Sequence, residues 1–297
     1  TTHTCECGYT YTDGETAAKG HTAEQTAEVS ASYATAGIKA YYTCSNCGKV
    51  FADSNCTEEI ADLEEWKTTD GKIVAQKDNA DFVNSEENPF TIANATDYKT
   101  IADACNAGNN FVGKYIMLTA NIGDEENPVK SRIGNASGNY FAGIFDGNGK
   151  TVYLQQSLSG HVGMFGVADH GAVIKNVTVN GSITNTTATQ NMGVGGIVGS
   201  VIAKGDAEIA LTLINCTNNA TISHTGSAVI GIGGLVGRFQ TTGSVSGCVN
   251  NGAITAKSNS YVGGVVGYAS NSLTITDCKN TANIVITEAT AVIGGIL

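Results

Sequence analysis

The sequence predicts an all-β fold whose C-terminal two-thirds is a parallel β-helix. Three observations predict it. A Gly-Gly-aliphatic-Val-Gly unit recurs about every 30 residues. The units align into columns of like residues. The composition, with 37 glycines, 2 prolines and 14% charged residues, suits short strands joined by tight turns and not a disordered or collagen-like chain.

The units read VGMFG (162–166), GGIVG (195–199), GGLVG (233–237), GGVVG (263–267) and GGIL (294–297). A second element follows each of the first four: NVTVNGSI (176–183), NCTNNATI (215–222), GCVNNGAI (247–254) and DCKNTANI (277–284). Val177 aligns with Cys216, Cys248 and Cys278. Val179 aligns with Asn218, Asn250 and Asn280, and Gly181 with Ala220, Gly252 and Ala282. Ile183 aligns with Ile222, Ile254 and Ile284. Such columns are expected where each coil stacks on the one before, with like side chains about 4.8 Å apart. The Ile column reads as interior and the Cys column as buried thiols. The Asn column reads as an amide ladder, and the small column as a tight turn.

Residues 89–150 read as the cap of the solenoid. In ATDYKTIADACNAGNN (95–110), Tyr98, Ile101, Ala102 and Cys105 have helical spacing. Thr96 or Asp97 is the expected N-cap and Gly108 the stop. KYIMLTANI (114–122) reads as a strand, and FAGIFDGNGKTVYL (141–154) as strand–turn–strand.

In serial order, PFTIANATDYKTIADACNAG, KYIMLTANI, FAGIFDGNGKTV, VGMFG, IKNVTV and the GGxVG units resemble the GLUG-motif repeat proteins of bacterial surfaces, over residues 89–297. The resemblance implies a right-handed parallel β-helix and an extracellular, cell-surface or secreted address. It implies a surface, adhesin-like or spacer role, with no catalytic residues to carry over. The chain stops inside its fifth unit, so a longer natural protein is expected.

The formal charge of −11 argues against a nucleic-acid surface. No run of 18 apolar residues is present, so no membrane span is expected.

Residues 1–66 form a small Cys-rich, zinc-ribbon-like module, and the polar segment 67–88 a linker, with a hairpin at TTDGKI. CECG (5–8) and CSNCG (44–48) look like knuckles, with Gly after the second Cys. Cys5, Cys7, Cys44 and Cys47 are the expected ligands of a structural zinc, with His3 or His21 able to replace one. Disulfides are the alternative, which an oxidising compartment favours. IKAYYTCSNCGKVFAD (38–53) resembles modules of Gram-positive gut-bacterial surface proteins.

No catalytic set can be placed. Asp146 reads as a turn residue, Asp206 and Glu208 as a solvated loop, and His161, His170 and His224 as isolated histidines. The triplets at Asn176, Asn215 and Asn219 are chance sequons in an Asn- and Thr-rich chain. Phe239, Tyr261 and Tyr268 are the scattered aromatics that a sugar-binding surface would need. The expected function is a non-enzymatic surface region whose partner is a surface glycan or protein. The alternatives are a carbohydrate-active enzyme or polysaccharide-binding module on the same fold, and a self-associating filament subunit.

Overall fold

A computed structural model describes residues 2–4, 6–8, 10–12, 20–28, 37–63, 67–68, 84–136, 138–202, 210–228, 230–256, 260–287 and 292–297. Cys5, Trp66, most of the TTDGKI segment, and Asp206 and Glu208 lie outside them. The chain divides into one unit of Thr1–Ala31 with Ala36–Asp70, and a second of Ser32–Thr35 with Gly71–Leu297.

The second unit is a parallel β-solenoid with one helix among its described residues. Four sheets run along it. The first stacks seven strands: Phe90–Ile92, Tyr115–Leu118, Ile144–Asp146, Ala172–Lys175, Leu211–Ile214, Gly243–Ser246 and Leu273–Thr276. The second begins with Thr151–Leu158 on Thr178–Asn185 and continues as split strands in three later coils. The third holds Phe165–Ala168, Val198–Val201, Val236–Phe239 and Val266–Ala269. The fourth holds Gly193–Gly195, Gly231–Gly233, Tyr261–Gly263 and Val292–Gly294.

The aligned columns stack as the sequence predicts. Ile183 pairs with Ile222, Ile222 with Ile254, and Ile254 with Ile284. The first three are buried. Asn218 Nδ2 donates to Asn250 Oδ1 at 2.8 Å, and Asn250 Nδ2 to Asn280 Oδ1 at 2.8 Å. Each amide also closes its own turn, on Ala220, Gly252 and Ala282. An exposed ladder beside it links Asn219 to Asn180 and Asn251 to Asn219. Cys216, Cys248 and Cys278 are free thiols, the first two buried without exposure.

The second glycine of each later repeat unit lies at the bend between the fourth and third sheets. Gly196, Gly234 and Gly264 do not adopt positive φ. A Cβ at these positions would run into the side chains of Asn218, Asn250 and Asn280. The glycine column exists to admit the amide ladder. The left-handed positions lie in another column: Asn176 (φ 56°), Asn215 (φ 50°), Gly247 (φ 62°) and Asp277 (φ 53°). This is the corner between the first and second sheets, and Asn, Asp and Gly are the residues that tolerate it.

The helix Ala95–Asn106 packs Tyr98, Ile101, Ala102 and Cys105 into the core, and Tyr98 Oη donates to Met164 O at 3.2 Å. Its N-cap is Asn94, two residues before the nearer of the expected ones, and Asn94 Oδ1 accepts from Asp97 N. Asp97 reciprocates by accepting from Ala93 N at 3.0 Å. Gly108 (φ 103°) follows the last turn.

The first unit contains the antiparallel pair Thr2–Thr4 with Thr10–Thr12, a short pairing of Gly37–Ile38 with Lys67–Thr68, and a three-stranded sheet. The sheet places Tyr41–Cys44 between Ala23–Thr26 and Val50–Phe51. Its buried cluster among the described residues is Cys44, Phe51 and Cys56, with Ala23 against it. A core of that size needs a staple.

Candidate metal centre

The sheet of the first unit brings distant residues together. Ala23 pairs with Cys44, which sets His21 beside the Cys44–Cys47 turn. The strand Val50–Phe51 returns on the other side, and a turn then carries Cys56 inward. Asp53 organises that turn by accepting from the backbone N–H groups of Asn55, Thr57 and Glu58. Lys49 pairs with Glu59 at 2.6 Å across its base.

His21, Cys44 and Cys56 offer ligand atoms that all lie within 4.8 Å of one another. His21 Nδ1 is 3.4 Å from Cys44 Sγ and 3.7 Å from Cys47 Sγ. The His21 ring meets Phe51 edge-on, with centroids 5.1 Å apart, which limits its rotation. Burial opposes the Cys44 thiolate, but the hydrogen bond with His21 and the backbone N–H groups of Thr22, Cys47 and Asn46 outweigh it and bring the thiol down to about 6. Burial pushes the Cys56 thiol up, reinforced by the charge of Cys44. Amides turned toward a cysteine sulfur are the feature a zinc knuckle supplies.

This group departs from the expected set of Cys5, Cys7, Cys44 and Cys47. Cys44 and Cys47 come together, but with His21 and Cys56. Cys7 is disulfide-bonded, so it offers no thiolate, and Cys5 lies outside the described residues. The side chain of His3 does too. Cys44, Cys47 and Cys56 are free cysteines. Matching Cys-x-Cys to Cys-x-x-Cys overlooked Cys56 because it has no close partner in sequence.

The other candidates in the solenoid separate into packing and surface. Asp146 orders the DGNG turn by accepting from Asn148 N and lies 3.4 Å from Lys175 Nζ. His224 is buried between Asn185 and Ala228 O. His170 (φ 57°) stacks on Tyr140. His161 Nδ1 lies 2.6 Å from Ser200 Oγ, a pair that sequence separation hid. Ser200 is sealed from solvent, and no carboxylate is hydrogen-bonded to the His161 ring among the described residues, so the pair lacks the access and the orienting acid of a nucleophile. Phe239 is wholly in the core, whereas Tyr261 and Tyr268 meet at the surface.

This fold and these columns define a parallel β-solenoid protein. Residues 258–285 match the family model described as "The GLUG motif". No curated protein matches the chain. A solved structure with a similar fold comes from Bacteroides ovatus and is described as "a putative immunoglobulin A1 protease". It shares 20% identity with a TM-score of 0.50, covering 72% of each chain, and it supports the fold alone. No helix among the described residues is long and apolar enough to cross a membrane.

Proposed function

We propose that the chain is a non-enzymatic, extracellular region of a bacterial surface protein, a solenoid spacer or adhesin-like scaffold preceded by a zinc-stapled module. One observation carries the reading. The recurring polar residues of the solenoid are engaged with their neighbours in adjacent coils, as the ladder from Asn218 through Asn250 to Asn280 shows. Repeats of this kind maintain a scaffold and leave ligand chemistry to the residues outside the columns. The protease described for the Bacteroides protein is a property of that protein. The five histidines here form no His-Glu-x-x-His motif.

In the first unit, His21, Cys44 and Cys56 supply three clustered ligands, and Cys47, 3.7 Å from His21 Nδ1, is the fourth that would close a tetrahedral Cys3His zinc site. Zinc bound there would draw these four atoms together and add cohesion to a small core.

The surface reading is tested with antibody against the chain on cells of its source. Labelling of intact cells is expected, and labelling only after permeabilisation rejects the surface address. Incubation with polysaccharides and peptides, followed by mass spectrometry, should show no cleavage. Products that accumulate with chain concentration would make it an enzyme.

A further inference from the structure

An aromatic contact on the outer surface of the late coils adjoins a cation that has no counter-ion among the described residues. Tyr261 and Tyr268 rings lie 5.1 Å apart at 55°, and Tyr261 is 40% exposed. The Arg238 guanidinium carbon is 5.1 Å from the Tyr268 ring centre. These three residues, with Asn191, Ile230 and Gly231, line a shallow surface depression of about 100 Å³.

Stacking creates the depression. Gly231 is the Cα partner of Tyr261 in the next coil and of Gly193 in the previous one. Arg238 is the partner of Tyr268 on one side and Ser200 on the other. Gly231 therefore lines the depression without a side chain, while Arg238 and Tyr268 flank it in the neighbouring column. A Cβ at Gly193 would come within 3.0 Å of Arg238 Cβ, and one at Gly231 within 3.2 Å of Tyr268 Cβ. The gap lies beside the cation.

Among the described residues Arg238 makes no ion pair, and its buried Nε has no hydrogen-bond partner. The chain has 27 acidic residues against 16 basic ones, so a guanidinium without a carboxylate is not explained by a shortage of anions. A partly buried, unsatisfied donor is costly, and the planar guanidinium fork is matched by a carboxylate. Tyrosine beside it offers an apolar face and a hydroxyl, as sugar rings require. The depression is smaller than an enclosed ligand pocket, so it can grip the acidic edge of one residue of a chain and cannot engulf a large ligand.

We propose that Arg238, Tyr261 and Tyr268 form a binding site for a single acidic sugar unit, a uronic or sialic acid within a glycan, with its carboxylate on Arg238 and its ring on a tyrosine. The surface reading bears only on where the glycan comes from, and the binding itself does not depend on it.

The test is titration calorimetry on the full chain with trigalacturonate and sialyllactose, each beside a neutral counterpart, maltotriose and lactose. At least one acidic ligand should bind saturably, with its neutral counterpart weaker by about tenfold or more. Arg238→Gln should lose roughly tenfold, and Tyr261→Ala, an exposed position, should weaken binding with unchanged circular dichroism. The proposal is overturned if neither acidic ligand binds at millimolar concentration, or if neutral and acidic sugars bind alike. It is also overturned if Arg238→Gln binds normally. A short peptide with a free C-terminal carboxylate that outcompetes both sugars would make this a peptide site and also rejects it. Antibody labelling of cells is unaffected by any of these results, so the two readings fail separately.

Discussion

The carboxamide of Asn250 occupies the space that a side chain at Gly234 would need. The repeat's second glycine and the buried asparagine are therefore one device, set in different sheets. Gly234→Ala must push the amide off its 2.8 Å bond to Asn280 or shift the backbone. Overpacking of this kind costs about 1–3 kcal/mol. Chemical denaturation should show that loss, and a variant as stable as the parent would refute the coupling.

Asn250→Ala removes the bond accepted from Asn218 and the bonds made to Asn280 and Gly252. It leaves buried polar groups without partners, at about 1–3 kcal/mol each. If Gly234 serves the amide, the Gly234→Ala penalty should shrink in the Asn250→Ala background. A double-mutant cycle measures this, and strict additivity would show the two positions to be independent.

Burial, followed by the charges of Arg132 and Arg238, holds the His161 imidazole down at about 4, against about 6.5 in an unfolded chain. As pH falls the unfolded chain takes up the proton first. The stabilising contribution is thus complete above about pH 6.5 and is lost as pH falls toward 4, to an extent of no more than about 3 kcal/mol. His161→Gln should flatten the fall in melting temperature across that window. Parallel pH profiles for variant and parent would show that His161 is not the group responsible.

The zinc proposed for the first unit would have a spectroscopic signature in its cobalt form. The chain loaded with cobalt alone should show the visible absorption of a tetrahedral thiolate site, one ion per chain, displaced by zinc. Cys56→Ala should weaken or abolish the spectrum, whereas Cys105→Ala, in the solenoid core, should retain it. Metal analysis finding no ion, or a disulfide among Cys44, Cys47 and Cys56, would refute the site.

Thiol reactivity should rank by burial. Cys105, Cys216 and Cys248 are without solvent exposure, and burial pushes the Cys105 thiol up to about 12. Cys278, half-buried, should be the first solenoid cysteine alkylated in the native zinc-loaded chain, with the other three reacting only on unfolding. Peptide mapping after brief alkylation reads the order, and early labelling of Cys216 would contradict the stack.

Periodicity made part of this fold legible. The Cys, Asn and Ile columns repeat in identity because each coil meets the same interior surface. The left-handed corner at Asn176, Asn215, Gly247 and Asp277 was not read, since its constraint falls on the backbone and three residue types satisfy it. The metal group was half legible. Cys44 and Cys47 are a local pair and His21 was a named alternative ligand, but Cys56 joins them only through antiparallel strand pairing, which spacing does not encode. Likewise, Tyr261 and Tyr268 were visible as aromatics, and only the stacking of coils puts Arg238 beside them.

The seven-stranded sheet has a mechanical consequence. Its hydrogen bonds run from coil to coil, along the direction in which the repeats accumulate. Tension that draws the two ends of the solenoid apart would load one coil's bonds at a time, peeling the stack in steps. Each released coil of about 30 residues would add about 100 Å of slack chain. Such a scaffold yields by lengthening, and dissipates a pull that would otherwise reach whatever it holds.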